Sequence, residues 1–136
     1  LTSAVVEKTA EHATGMKYEH LAGSPLSDLP TIRAYLARMK IQADSARALW
    51  LDTIAALEAG RPDAMLRVLE VKAATAEAAR EVTDLAMRVC GGQAFRKDVG
   101  VERRFRDARA ALVMAPTSDQ LYDFIGKALC NLPLFA

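Results

Sequence analysis

The sequence has few of the residues that build disulfide-rich, metal-binding or strongly charged proteins. Its 136 residues include two cysteines and two histidines, aromatic residues make up 6%, and the formal net charge is +1. Two isolated thiols, Cys90 and Cys130, are typical of a reducing compartment, so we expect both to be free, buried or half-buried, and the protein to be cytoplasmic. The near-neutral charge argues against nucleic-acid binding. Because no apolar run is long enough to cross a bilayer, we predict no membrane span.

Metal binding is not predicted either. His12 and His20 each follow a glutamate, but no third ligand has a suitable spacing from them. No serine or cysteine forms a recognisable nucleophile–base pattern with a histidine.

The residues that are abundant favour helices. Half of the chain is apolar, a quarter is charged, and no useful run of strand-favouring residues occurs. We predict an all-α fold, an up-and-down bundle of four to five helices with two of them long, that forms a single helical domain over residues 1–136. Since the first residues lack a starting Met and resemble the middle of a helix, we interpret the chain as a piece of a longer protein.

Two long segments carry the helical periodicity. In residues 30–59, Asp28 is a candidate cap, Pro30 suits the first turn, and Gly60 marks the end. The apolar face includes Tyr35, Met39, Ala43, Ala46, Leu49, Trp50, Thr53 and Leu57, which we expect to be core. The second segment opens at Pro62 and Asp63 and closes at Gly91–Gly92. Its alanine-rich stripe consists of Leu66, Leu69, Ala73, Ala76, Val82, Leu85, Ala86 and Val89. A tight turn between them predicts an antiparallel pair.

Shorter helices flank this pair. Residues 1–14 form the first helix, and about ten non-helical residues follow the double glycine. A further helix begins near Val101 and ends at Pro116, and Thr117 or Ser118 caps the last helix, with Asp119 in its first turn.

The double glycine has two interpretations. Gly91 suits a left-handed helix end and Gly92 extends the turn, so a plain helix terminator is one of them. In the other, a backbone without side chains lets a ligand or a neighbouring subunit lie on the turn, and Arg88, one helical turn earlier, holds an anionic group.

The segment "ERRFRDARAA" also has more than one interpretation. Glu102 and Arg106 have the favourable acid-first spacing, which predicts a salt-bridged helix face. Arg106 and Asp107 are alternatively placed to reach the long helices.

Three stretches together, "MRVCGGQAF", "VERRFRDAR" and "APT", resemble the C-terminal helical domain of the acyl-CoA dehydrogenase family. In that family a Gln-x-x-Gly-Gly-x-Gly-Phe turn is followed, at near-fixed spacing, by a Glu-(Arg/Lys)-x-x-Arg-Asp-Ala-(Arg/Lys) helix and a Glu-Gly-Thr segment. The spacing here fits without a gap, and the resemblance spans essentially the whole chain.

The resemblance implies a flavoprotein that binds FAD and oxidises an acyl-CoA at Cα–Cβ as a homo-oligomer, a dimer or a tetramer. By position, the cofactor-binding residues would be Arg88, Gly91, Gly92, Thr117 and Asp119. The glycine turn would contact the FAD of a partner subunit, and the arginine-rich helix would brace that turn. The isolated chain should be inactive, because the family's other domains carry most of the flavin and substrate contacts.

The departures from the family pattern leave the activity open. Arg88 replaces Gln, Ala94 replaces a glycine, and Asp119 replaces Gln. The family's usual catalytic base would fall at Ala115, which cannot accept a proton. The base would then lie upstream of Leu1, or the protein would be a flavin-dependent monooxygenase or a catalytically degenerate subunit of the same superfamily. A helical interaction module without flavin is the alternative from another class.

Overall fold

The computed structural model describes residues 1–135, and within that range it contains five α-helices and no strand. The helices are α1 (Thr2–Gly15), α2 (Pro30–Glu58), α3 (Ala64–Cys90), α4 (Val101–Val113) and α5 (Ser118–Leu129). Short 3-10 turns span Glu19–Leu21, Leu26–Asp28 and Gly91–Phe95. The predicted all-α bundle with two long helices is confirmed.

Helix α3 lies at the centre of the bundle, where it packs against all four other helices. The stripe of small residues predicted on it is buried from Ala73 to Val89, because alanines let neighbouring helices approach closely. Leu66 and Leu69 are only half-buried. The first residues of α1 line a groove with Thr75 and Ala79, further along α3 than these two leucines. The hydrophobic core consists of the buried residues Val5, Met39, Val82, Leu85, Ala86, Cys90, Ala94 and Val101.

Helix α2 follows the predicted face only in part. Met39, Ala43, Ala46 and Thr53 are buried as expected. Trp50 is 48% exposed, so its assignment to the core is wrong. Its indole ring lines a groove of about 310 Å³ between α2, the start of α1 and α3 instead. Leu57, near the end of α2, is also exposed.

The start of α2 differs from the prediction as well. Leu29 occupies the cap position, and no side chain caps the helix. Asp28 lies in a 3-10 turn, where its backbone carbonyl accepts a hydrogen bond of 2.7 Å from Arg33. The guanidinium of Arg33 also donates to the carbonyl of Ser27 at 3.0 Å. Arg33 therefore anchors the loop that leads into α2. The prediction that Asp28 caps α2 is wrong.

An ion-pair cluster closes the turn between α2 and α3. Arg61 donates to Asp52 at 2.7 Å and to both carboxylate oxygens of Asp63, and Arg67 also donates to Asp63 at 3.1 Å. The Asp63 carboxylate thus binds arginines and does not cap α3. The hydrogen bonds from Arg61 hold the pKa of Asp63 below its ordinary value.

The two thiols have different environments. Cys90 is buried in the core, and burial raises its pKa to about 11. Cys130 is exposed, so the expectation that both cysteines are at least half-buried is wrong for it. It follows α5 directly, beyond the part of that helix that packs on α3.

No helix between Leu1 and Phe135 has the length and apolar character that a membrane crossing needs. The same residues contain no group of three His, Cys, Asp or Glu side chains placed to hold a metal ion.

Candidate cofactor-binding surfaces

The first candidate surface lies at the C-terminal end of α3 and consists of Arg88, Gly91 and Gly92; we call it the glycine turn. Gly91 ends α3 with a φ of +55° and a ψ of −138°, so the φ is positive but the expected left-handed helical conformation is not adopted. Its N–H donates to the carbonyl of Met87. The chain then continues as a 3-10 turn through Phe95, where we expected non-helical residues. Both glycines are exposed, and a Cβ added to either would meet nothing within 4 Å.

These facts separate the two interpretations of the double glycine. The positive φ at Gly91 favours glycine for conformational reasons alone. Gly92 has no positive φ and no close neighbour, so neither backbone conformation nor packing within residues 1–135 requires a glycine there. The terminator interpretation explains Gly91 and leaves Gly92 unexplained.

Arg88 supplies positive charge beside this turn. Its exposed guanidinium lines a groove of about 280 Å³ together with Arg38, Arg80 and Glu81. Arg38 pairs with Glu81 at 2.8 Å, and Arg80 pairs with Glu77 at 2.9 Å. Among the residues that the structure describes, Arg88 forms no ion pair within 4 Å, so its charge remains available to an external anion.

The second candidate surface, which we call the threonine turn, spans residues 114–119 between α4 and α5. Thr117 caps α5 as predicted: its hydroxyl accepts from the Gln120 N–H at 3.4 Å, and its own N–H donates to Gln120 Oε1 at 2.9 Å. Asp119 lies in the first turn of α5, also as predicted, and is exposed. Ala115 is exposed, and Pro116 lies outside both helices.

Lys72 of α3 ties the threonine turn to the centre of the bundle. Its ammonium donates to the carbonyl of Met114 at 3.1 Å and also to the carbonyl of Pro116. Ala115 lies between these two acceptors. Sequence reasoning missed Lys72, because a single lysine in "LEVKAATAEAA" is indistinguishable from an ordinary solvated helix residue.

The structure does not bring the five predicted cofactor-binding residues together. Lys72 marks the position of the threonine turn along α3, and Arg88 marks that of the glycine turn. At a rise of 1.5 Å per residue, the two positions are about 24 Å apart along the helix. Arg88, Gly91 and Gly92 therefore form one surface, and Thr117 and Asp119 form another.

Helix α4 connects the two surfaces along α3. Its predicted pair, Glu102 with Arg106, is present at 3.4 Å, and Arg103 pairs with Asp107 at 3.6 Å. The contact with a long helix comes from a different residue than expected: Arg109 donates to Asp84 of α3 at 2.5 Å. Arg106 and Asp107 each form an ion pair within α4, so the suggestion that they reach across to the long helices is wrong.

Comparison with known protein families agrees with the fold and the two turns described above. The model of the acyl-CoA dehydrogenase C-terminal domain matches residues 2–130. The chain therefore belongs to the acyl-CoA dehydrogenase family of flavoprotein oxidoreductases and corresponds to its C-terminal helical domain, which confirms the resemblance inferred from the sequence.

Individual relatives agree with this assignment. An acryloyl-CoA reductase (NADH) of Anaerotignum propionicum is 36% identical over 76% of this chain and 27% of its own length. An L-prolyl-[peptidyl-carrier protein] dehydrogenase of Pseudomonas fluorescens is 28% identical over 91% of this chain and 32% of its own length. The FAD complex of PigA superposes with a TM-score of 0.87 at 19% identity, covering 95% of this chain and 33% of that one, a likeness of fold.

This chain thus spans only about a fifth to a third of the length of its relatives, with 19% for the mitochondrial very long-chain acyl-CoA dehydrogenase of Rattus norvegicus. Because relatives occur in mitochondria as well as in bacteria, the family does not specify the cytoplasm.

Proposed function

We propose that this chain is the C-terminal domain of an FAD-dependent dehydrogenase of acyl thioesters, and that its glycine turn and threonine turn contact FAD in a homo-oligomer. The observation that carries the proposal is Gly92, which is exposed, has no positive φ and has open space where a Cβ would lie. A ligand that rests on the backbone gives a reason for glycine at this position.

The chemistry of the glycine turn suits a dinucleotide phosphate. Arg88 lacks an ion-pair partner within residues 1–135, and a guanidinium can donate two parallel hydrogen bonds to phosphate oxygens. A neutral glutamine, usual in the family at this position, lacks that charge. The fit is therefore good at Arg88, Gly91 and Gly92.

The threonine turn suits a different part of the cofactor. Asp119 presents an exposed carboxylate, which repels phosphate but accepts hydrogen bonds from hydroxyl or amino groups. Thr117 can still donate its hydroxyl proton while its oxygen accepts from Gln120. The chemistry that FAD supplies when bound is the acceptance of a hydride from the substrate.

The separation of about 24 Å between the turns supports an arrangement in which each turn contacts a different FAD of the oligomer. In a two-fold dimer, every FAD would then meet the glycine turn of one subunit and the threonine turn of the other. Such a site is incomplete in one subunit, so we also propose that FAD binding requires the oligomer.

A mixed dimer of the full-length protein tests this arrangement. Gly92→Val blocks the glycine turn and Asp119→Ala alters the threonine turn, and subunits with different affinity tags let the mixed dimer be purified. If each FAD contacts two subunits, one site of the mixed dimer carries both changes and the other carries none, so one FAD per dimer binds with wild-type affinity. Loss of tight binding at both sites would contradict the proposal. Asp123→Ala, an exposed residue one turn further along α5, serves as the control for Asp119→Ala.

Catalysis requires a base outside the threonine turn. Ala115 has no proton acceptor, so proton abstraction from the substrate cannot take place at this position. We propose that the base lies upstream of Leu1 in the full-length protein. The same alanine favours the second candidate, a flavin-dependent monooxygenase or a degenerate subunit, neither of which needs a base here.

A visible spectrum of the full-length protein separates these candidates. Bleaching of the flavin band on anaerobic addition of an acyl-CoA would establish dehydrogenation with a base elsewhere. A flavin band that no acyl-CoA bleaches would favour the monooxygenase or the degenerate subunit. A colourless protein that binds no added FAD would leave the helical interaction module.

The substrate class and the setting complete the proposal. The relatives' names describe thioesters of CoA and of a peptidyl carrier protein, and we propose an acyl-CoA as the substrate. We propose a single domain over residues 1–136 of a longer flavoprotein, inactive in isolation, in the cytoplasm, where the two free thiols stay reduced.

A further inference from the structure

We infer that Lys72 is a positioning residue that holds the threonine turn in place on α3 and thereby orients Thr117 and Asp119 toward the cofactor. The inference rests on the proposed function for its last step only. That Lys72 holds the threonine turn on α3 is inferred from hydrogen bonds within this chain alone.

The two acceptors of Lys72 lie on either side of Ala115. Met114 is the C-terminal cap residue of α4, and Pro116 immediately precedes the cap residue of α5. The last carbonyls of a helix have no partner within it, and the negative end of the helix dipole attracts a cation. One ammonium therefore satisfies the end of α4 and fixes the start of α5.

Little else attaches this segment to the bundle. Val113 is 73% exposed, Met114 is 63% exposed, and Ala115 and Pro116 are exposed as well. The next buried side chains are those of Ser118 and Leu121 in α5, and of these only Leu121 is an apolar anchor. The segment before Thr117 consequently depends on polar contacts, and those with Lys72 are the ones that reach across to α3.

The surroundings of the Lys72 ammonium support a specific contact with the threonine turn. Within residues 1–135, Lys72 has no carboxylate within 4 Å, whereas Lys40 and Lys127 pair with Asp44 and Asp123 on their own helices. The ammonium of Lys72 is thus directed to backbone carbonyls and not to a neighbouring acid.

Two measurements on the full-length protein test the inference. The first is hydrogen exchange without cofactor over a peptide that spans residues 114–121, where the amides of Thr117 and Gln120 are bonded in the cap. The second is the dissociation constant for FAD. The variants are Lys72→Met, the charge-conserving Lys72→Arg, and the control Lys127→Met, which removes a lysine with no contact to the turn.

For Lys72→Met we expect exchange in this peptide to accelerate by about tenfold and FAD to bind about tenfold more weakly, because two charge-assisted hydrogen bonds are lost. Lys72→Arg should restore most of both effects, and Lys127→Met should change neither. A melting curve identifies any variant that does not fold, and Lys72→Gln, which removes the charge but stays polar, then replaces Lys72→Met.

The outcomes distinguish this inference from the proposed function. Unchanged exchange in Lys72→Met overturns the clamp, whatever the cofactor does. Faster exchange with unchanged FAD affinity overturns the orienting role. If the wild-type protein binds no FAD, the proposed function fails and the orienting role fails with it, while the exchange result still decides the clamp.

Discussion

Arg109 of α4 donates to Asp84 of α3 at 2.5 Å while its guanidinium carbon lies 4.0 Å from the centroid of the Phe105 ring. The same guanidinium lies 3.5 Å from the hydroxyl of Thr83, which is buried. A hydrogen-bonded ion pair and a cation–π contact therefore fix α4 on the central helix two turns before the glycine turn. The arginine-rich segment is thus attached to α3 through Arg109.

Replacing Arg109 should weaken the bundle. Both partners are about a third exposed, so solvent screens the pair, and we expect Arg109→Met to lower the free energy of unfolding by about 1 kcal/mol. Urea denaturation measures the change. The control is Arg103→Met, whose pair with Asp107 is longer and more exposed. Equal losses in the two variants would show that the contact with Asp84 contributes nothing specific.

The two glycines should respond differently to alanine. Gly91→Ala places a Cβ at a φ of +55° and a ψ of −138°, a backbone conformation close to the one that glycine alone adopts, and should cost about 1–3 kcal/mol of folding stability. At Gly92 the φ is not positive and an added Cβ would contact no neighbouring atom, so Gly92→Ala should leave the melting temperature nearly unchanged. Thermal denaturation of both variants checks this. A large loss of stability in Gly92→Ala would mean that the fold itself requires that glycine, and the argument for a ligand there would fail.

The cap of α5 should contribute measurably. Thr117→Val keeps the shape of the side chain and removes the oxygen that accepts from Gln120, so we expect a loss of about 1 kcal/mol in urea denaturation. Thr14→Val is the matched control, because the Thr14 hydroxyl is exposed and bonds only to carbonyls of its own helix. A loss for Thr14→Val as large as that for Thr117→Val would refute a specific contribution from the cap.

The two thiols should react at different rates. Cys130 is exposed, whereas burial raises the pKa of Cys90 from 9.0 to about 11. Iodoacetamide at pH 8 should therefore alkylate Cys130 in the folded protein and Cys90 only after unfolding, as peptide mass spectrometry can show. Because the unfolded chain loses this proton first, the contribution of Cys90 to stability is complete below pH 9 and declines as the pH rises toward 11. Rapid alkylation of Cys90 in the native state would contradict its burial.

The sequence was a good guide wherever one residue determines its own surroundings. Thr117 caps α5 through atoms three residues away, and Gly91 ends α3 through its own φ, so both could be predicted.

Features that depend on where helices cross could not be predicted. Trp50 has the periodicity of a core residue, yet it is 48% exposed and lines a groove between α1, α2 and α3. Lys72 meets the carbonyl of Met114 forty-two positions later in the chain, and no local pattern encodes that pairing. Asp28 and Asp63 stand just before α2 and α3 in the sequence, as capping residues do. In the structure, the Asp28 carbonyl accepts from Arg33 and the Asp63 carboxylate accepts from Arg61, and neither side chain caps a helix.

The unbroken course of α3 gives the domain a fixed internal length. Each residue inserted or deleted between Lys72 and Arg88 would rotate one surface relative to the other by roughly 100° and shift it by roughly 1.5 Å. Even an insertion of a whole turn, which nearly restores the rotation, would move the surfaces roughly 5 Å further apart. The length of α3 therefore fixes the distance and the relative rotation of the two surfaces. Members of the family that share both surfaces should tolerate substitutions along α3 far better than changes in its number of residues.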